Sequence, residues 1–128
     1  MGYWIFKNFL SERGENEIRR WVNTLSKNVR IKIDRRIRYL ENVQYFQREP
    51  QYVKQMVGYE GIYEIRIVFA GDQYRPLGCY GPDQGQFTLL IGAVERGNRL
   101  EPRDACALAM QRKAIIHNDR SRVCDHFG

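Results

Sequence analysis

Arg66 and Arg75 are the residues whose surroundings point most directly to chemistry. Arg66 lies midway along Ile62-Tyr63-Glu64-Ile65-Arg66-Ile67-Val68-Phe69, a run that alternates with period two. Tyr63, Ile65 and Ile67 share one side of such a strand, and Glu64 and Arg66 share the other. Arg75 comes early in the next run, Tyr74 to Tyr80. If the two runs pair antiparallel, Arg66 and Arg75 converge on one face, with Tyr80 at its far end and Lys54 nearby. Arginines and a tyrosine on one sheet face suit a phosphodiester whose transition state gathers negative charge. Tyr63, Tyr74 and Phe87 read as core rather than as base-stacking groups.

A second group of cations, Lys27, Arg30, Lys32, Arg35, Arg36 and Arg38, crowds one segment in which Asp34 is the single opposing charge. Either this is a solvated face or it is a platform for a phosphate backbone. His117, His126 and Cys124 lie in the last stretch and read as solvated rather than as a metal site, because ligands need a scaffold to fix them. Walker, GxGxxG, HExxH and GxSxG motifs are missing. No metal and no cofactor are expected.

The elements that must position these residues follow from periodicity. Tyr3-Trp4-Ile5-Phe6 reads as a first strand. Ser11 is a candidate helix cap, and Ile18, Trp21, Val22 and Leu25 form one apolar stripe. After a break near Ser26–Asn28, Val29, Ile33, Ile37 and Leu40 form another, so an αα-hairpin is expected. Gly58 and Gly61 punctuate a loop. Three strands follow, with turns at Ala70–Gln73 and Gly81–Gly85, the third running from Phe87 to Val94. Asn98 to Pro102 reads as a linker, and Ala105 to Ile116 as a helix. The order is β-α-α-β-β-β-α. The expected fold is α+β, with the two N-terminal helices packed on one face of a small, mainly antiparallel sheet. Residues 1–116 are expected to form a single domain and 117–128 a frayed polar C-terminal tail.

At 128 residues the chain has room for one domain. With 21 Lys+Arg against 15 Asp+Glu the net charge is +6, which favours a polyanionic partner. No apolar run is long enough for a membrane span, and the first residues do not form a secretory signal. Cys79, Cys106 and Cys124 are odd in number and lack CxxC spacing, so a reducing cytoplasm is the expected setting.

Lys54, Gly58-Tyr59-Glu60-Gly61-Ile62-Tyr63-Glu64-Ile65-Arg66, Gly71-Asp72-Gln73-Tyr74-Arg75, Tyr80-Gly81-Pro82 and Phe87-Thr88-Leu89-Leu90-Ile91-Gly92 follow one another in a familiar order. This series resembles the RelE/ParE toxin superfamily, and within it the HigB-like, phage-derived branch. The resemblance is strongest over residues 50–105. It implies two helices on a curved, mainly antiparallel sheet and the toxin half of a type II toxin–antitoxin pair. It also implies a metal-independent endoribonuclease that cuts mRNA on the ribosome, the RNA's own 2′-hydroxyl attacking the adjacent phosphorus. A helix-turn-helix antitoxin, the ribosome and mRNA would be the partners.

Carried onto this sequence, Arg66 and Arg75 would stabilise the scissile phosphate. Lys54 would contact phosphate or help move a proton, and Tyr80 would stack or do acid–base work. Arg30, Lys32, Arg35, Arg36 and Arg96 would bind RNA. The chain departs from the pattern at Ile91, where HigB-like relatives often carry a histidine, and at Val94-Glu95-Arg96-Gly97, where they often carry paired lysines. Two alternatives stay open: a ParE-like gyrase inhibitor and, because of the missing histidine, a degenerate member that binds RNA or antitoxin without turnover.

Overall fold

Asn16, not Ser11, starts the first helix: its side chain accepts from the Arg19 backbone N–H at 2.9 Å. Ser11 instead closes the preceding turn, its hydroxyl accepting from Glu15 N. Ser26 caps the second helix through Val29 N. The computed structural model describes residues 2–128. β1 (Ile5–Phe9) leads into α1 (Glu17–Asn23) and α2 (Lys27–Glu41), and a 3-10 turn follows at Phe46–Arg48. Then come β2 (Val53–Gln55), β3 (Tyr63–Ile65), β4 (Ile67–Phe69), β5 (Asp72–Tyr74), β6 (Leu77–Tyr80), β7 (Gln86–Ile91), β8 (Val94–Arg96) and β9 (Arg99–Glu101). α3 (Ala105–Asn118) and β10 (Val123–Asp125) complete the series.

The strands form a six-stranded sheet, β10-β1-β7-β6-β3-β2, and a four-stranded one, β4-β5-β8-β9. Pairing is antiparallel except between β1 and β7. The α+β class and the mainly antiparallel character agree with the sequence reading. Three expected strands are each broken in two, however, at Arg66, at Arg75–Pro76 and at Gly92–Ala93. The breaks fall at one level. Glu64 pairs with Leu77 and Ile67 with Tyr74, so Arg66 stands across from Arg75, while Arg75 N donates to Ala93 O at 2.8 Å. Pro76 cannot donate to a ladder, and Gly92 lets Trp21 close in: a Cβ there would lie 1.9 Å from its ring. The chain therefore turns a corner at this level, passing from one sheet to the other. The expected linker at Asn98–Pro102 contains the whole of β9, which hairpins back on β8.

Two cores flank the larger sheet. Val22, Ile33, Ile37 and Leu40 of α1 and α2 pack with Phe6, Phe46, Ile65 and Phe87. Leu77, Cys79 and Leu90 pack instead with Ala105, Ala109 and Ile116 of α3. The alternation along β6 places these groups on opposite faces. The third helix thus covers the face that α1 and α2 leave open, rather than sharing theirs. Cys79 is a core residue under α3, its thiol pushed up to about 12 by burial.

Residues 117–128 correct the sequence reading most clearly. α3 continues to Asn118, and β10 adds to β1 with Lys7 opposite Asp125 and Phe9 opposite Val123. His126 is 2% exposed, and Phe127 packs against the α1–α2 core. The stretch is polar in composition, yet its polar groups find partners: His126 sits 2.9 Å from Asn8 Oδ1 and 2.9 Å from Asp34 Oδ1, and Arg19 donates to its carbonyl. The strand also covers what would be a bare edge of β1.

Candidate functional site

The corner gathers charge. Lys54 lies directly opposite Glu64 in the β2–β3 register. Arg66 Nε stands 3.6 Å from Glu64 Oε1, and Arg75 Nε 4.0 Å from Glu64 Oε2. Glu95 comes in from β8, its Oε1 also 4.0 Å from Arg75 Nε. Lys54, Arg66 and Arg75 are thus brought together, as the sequence suggested, but around carboxylates. Their exposures differ sharply. Lys54 is exposed and the Arg66 side chain is 34% exposed, whereas Arg75 is 1% exposed.

Arg75 is held by Gln73 Oε1 and by Tyr74 O, while its Nε is buried without a hydrogen bond. Its guanidinium faces the protein, so it braces Glu64 and Glu95 from beneath, and Lys54 and Arg66 carry the charge that solvent meets. Burial lowers Arg75's proton affinity, opposed by Glu64. Burial likewise pushes the Glu64 carboxyl up, opposed by Arg75, Arg66 and Lys54. Glu64 is the member that residue types alone did not single out. Its place two residues before an arginine, on the same side of the strand, was the available signal.

Tyr80 does not join this group. Its ring stacks on Phe46 at 5.5 Å and meets Tyr63 and Phe87 edge-on, half-buried against the α1–α2 core. Its hydroxyl donates to Gln47 Oε1 at 2.7 Å, and burial pushes the phenol well above its ordinary value. The expected convergence fails because Tyr80 lies on the opposite face of the sheet from Glu64. Ile91 is buried in the α3 core.

The cations of α2 divide. Lys32, Arg35 and Arg36, with Asn28, Ile31 and Phe69, line an open groove of about 570 Å³ between α2 and β4. Lys32 donates to Val68 O on the free edge of β4, and Arg36 to Arg66 O in the break just before that strand. The Arg36 guanidinium also lies over the Tyr52 ring, 3.9 Å from its centre. Arg35 remains exposed. Arg30, one helical turn before Asp34, projects from the other flank of α2. Arg96 is apart from all of these, on the β8–β9 hairpin, 3.1 Å from Glu101. Among the described residues no cluster of His, Cys, Asp and Glu could hold a metal ion. Among the described residues no helix is long and apolar enough to cross a membrane.

Comparison with known proteins agrees with this architecture. The fold is similar to that of a double mutant of the Escherichia coli toxin RelE in the free state, with a TM-score of 0.55 and 15% identity. That match covers 88% of this chain and 98% of the other. No curated protein matches. The family described as phage derived protein Gp49-like matches residues 20–114, which run from the middle of α1 through most of α3 and include the whole charged corner. The chain therefore belongs to the Gp49-like family, built on the fold seen in RelE.

Proposed function

We propose that the chain is the toxin of a type II toxin–antitoxin pair and acts as a metal-independent mRNA endoribonuclease on the ribosome. The observation that carries this reading is the corner. Lys54 and Arg66 present positive charge to solvent on a backbone fixed by the turn between two sheets, braced from below by the buried Arg75. A phosphodiester held between them would have its developing charge met by preorganised donors. The reaction needs only the 2′-hydroxyl next to the scissile phosphate, so the protein's task is to orient and neutralise. The groove with Lys32, Arg35 and Arg36 would carry the flanking backbone. A helix-turn-helix antitoxin and the ribosome are the proposed partners, and the cytoplasm the proposed setting.

Primer extension on a defined mRNA, with and without ribosomes, tests this. Cuts confined to the ribosome-containing reaction, at a fixed place in the codon, are expected. Cuts on free RNA would keep the nuclease and discard the ribosome. One observation favours a second reading, a binder without turnover: Glu95 takes up part of the charge of an arginine that is itself hidden. Salt-sensitive RNA binding with no cuts in either reaction would establish it.

A further inference from the structure

Cleavage by a 2′-hydroxyl needs a group to take that hydroxyl's proton. Ile91 supplies no imidazole, and Tyr80 is locked on the other face by Gln47 and its aromatic neighbours. His126 is buried against α2, and His117 lies on α3 with its Nδ1 2.7 Å from Lys113 O. A guanidinium is not a base at neutral pH, which sets the two arginines aside. Within the corner, the carboxylate of Glu64 is placed for the task.

Its position is fixed from every side. Lys54 faces it from β2, Arg66 and Arg75 flank it from the two broken strands, Glu95 approaches from β8 and Cys106 lies near it on α3. The Arg66 and Arg75 Nε atoms stand at 3.6 and 4.0 Å, beyond hydrogen-bond length, so they attract the carboxylate without occupying its lone pairs. The residue is 6% exposed, which removes most of the water that would compete. The same burial raises the carboxyl's affinity for a proton.

We propose that Glu64 is the general base of this site, taking the proton from an RNA 2′-hydroxyl whose adjacent phosphate is held by Lys54 and Arg66. The inference rests on the nuclease reading above. In the step, the O2′ proton passes to a Glu64 oxygen and O2′ bonds to phosphorus. The bond from phosphorus to O5′ breaks, and the leaving oxygen takes a proton from the Lys54 ammonium. A 2′,3′-cyclic phosphate and a 5′-hydroxyl result; Glu64 then gives its proton to water and Lys54 regains one.

The test is single-turnover cleavage of ribosome-bound mRNA as a function of pH. The wild-type rate should climb with pH through one ionisation lying above the ordinary carboxyl range, then level. Glu64→Gln should be slower by about 10²-fold or more and lack that climb. Glu64→Asp, with the same charge on a shorter arm, should recover part of the rate and keep the ionisation. RNA with a 2′-deoxy sugar at the cleavage site should bind Glu64→Gln at least as tightly as wild type. A Glu64→Gln protein cutting within about threefold of wild type would overturn the assignment and leave the nuclease standing. If Glu64→Gln does not fold, the wild-type and Glu64→Asp profiles decide, and a wild-type rate flat with pH overturns the assignment by itself. A wild-type chain that binds RNA but cuts at no pH removes this inference together with the proposed function.

Discussion

Arg66 and Arg75 have the same side chain and stand across from each other, yet they should fail differently when removed. Arg66 reaches solvent, so Arg66→Ala should lower the cleavage rate by about 10²-fold or more while leaving the melting temperature nearly unchanged. Arg75 is buried between Glu64 and Glu95. Arg75→Ala strands those carboxylates and should cost about 3–5 kcal/mol, read as a shift in the urea midpoint. A mutant equally stable to wild type would show that the buried guanidinium braces nothing. Glu64 adds a pH signature. Its folded carboxyl binds a proton more tightly than the unfolded one does, so its contribution to stability is whole below the ordinary carboxyl range. That contribution drains away as pH rises through the raised value. Urea unfolding of wild type and Glu64→Gln between about pH 4 and pH 7 should show wild type losing stability relative to the mutant across that window. Parallel curves would contradict the raised affinity. The cluster was partly legible because period-two alternation fixes which residues share a side, and it correctly set Glu64 beside Arg66. What alternation does not report is depth. Arg75 sits beside Pro76 at the corner, where the sheet folds over it, and nothing in residue type marks that.

At the scale of elements, α2 does two jobs with one set of cations. Lys32 and Arg36 cap backbone carbonyls within and just before β4 and so close its edge, whereas Arg35 points into the open groove. Arg35→Glu should therefore weaken RNA binding and reduce its salt slope by about one, with stability held. The Lys32→Ala, Arg36→Ala pair should also free the β4 edge and promote association, visible by light scattering. If the double mutant stays monomeric, the caps are not what protects the edge. The presence of α1 and α2, though not the start of α1, read well from their stripes because their apolar residues recur every three or four positions. The strand breaks did not. Ile62 to Phe69 alternates without interruption, and only the pairing partners, Tyr52 O for Arg66 N and Tyr74 for Ile67, reveal that the run serves two sheets.

For the whole molecule, the stretch from Asp119 to Gly128 acts as a strap. It runs from the end of α3 on one face, along the edge of β1, to α2 on the other, where His126 meets Asp34 and the Arg38 guanidinium lies over Phe127. Deleting residues 119–128 should expose β1, leave Asp34 without its histidine and lower the melting temperature by several degrees; an unchanged melt would mean the strap merely rests on the domain. Composition hid this, since a histidine, an aspartate and a terminal phenylalanine look like a solvated end until their partners on α2 and β1 are in place.

The position of β1 carries a consequence for how the chain comes into being. It lies between β7 and β10, so both of its neighbours are made long after it. At a synthesis rate of about 5–20 residues per second, Ile5 leads Val123 by roughly 6 to 24 seconds. Until β7 is made the first strand has no permanent neighbour, and until β10 is made it has only one, so the larger sheet cannot be completed strand by strand as the chain emerges. Closure of the larger sheet is a late event, governed by the arrival of β10.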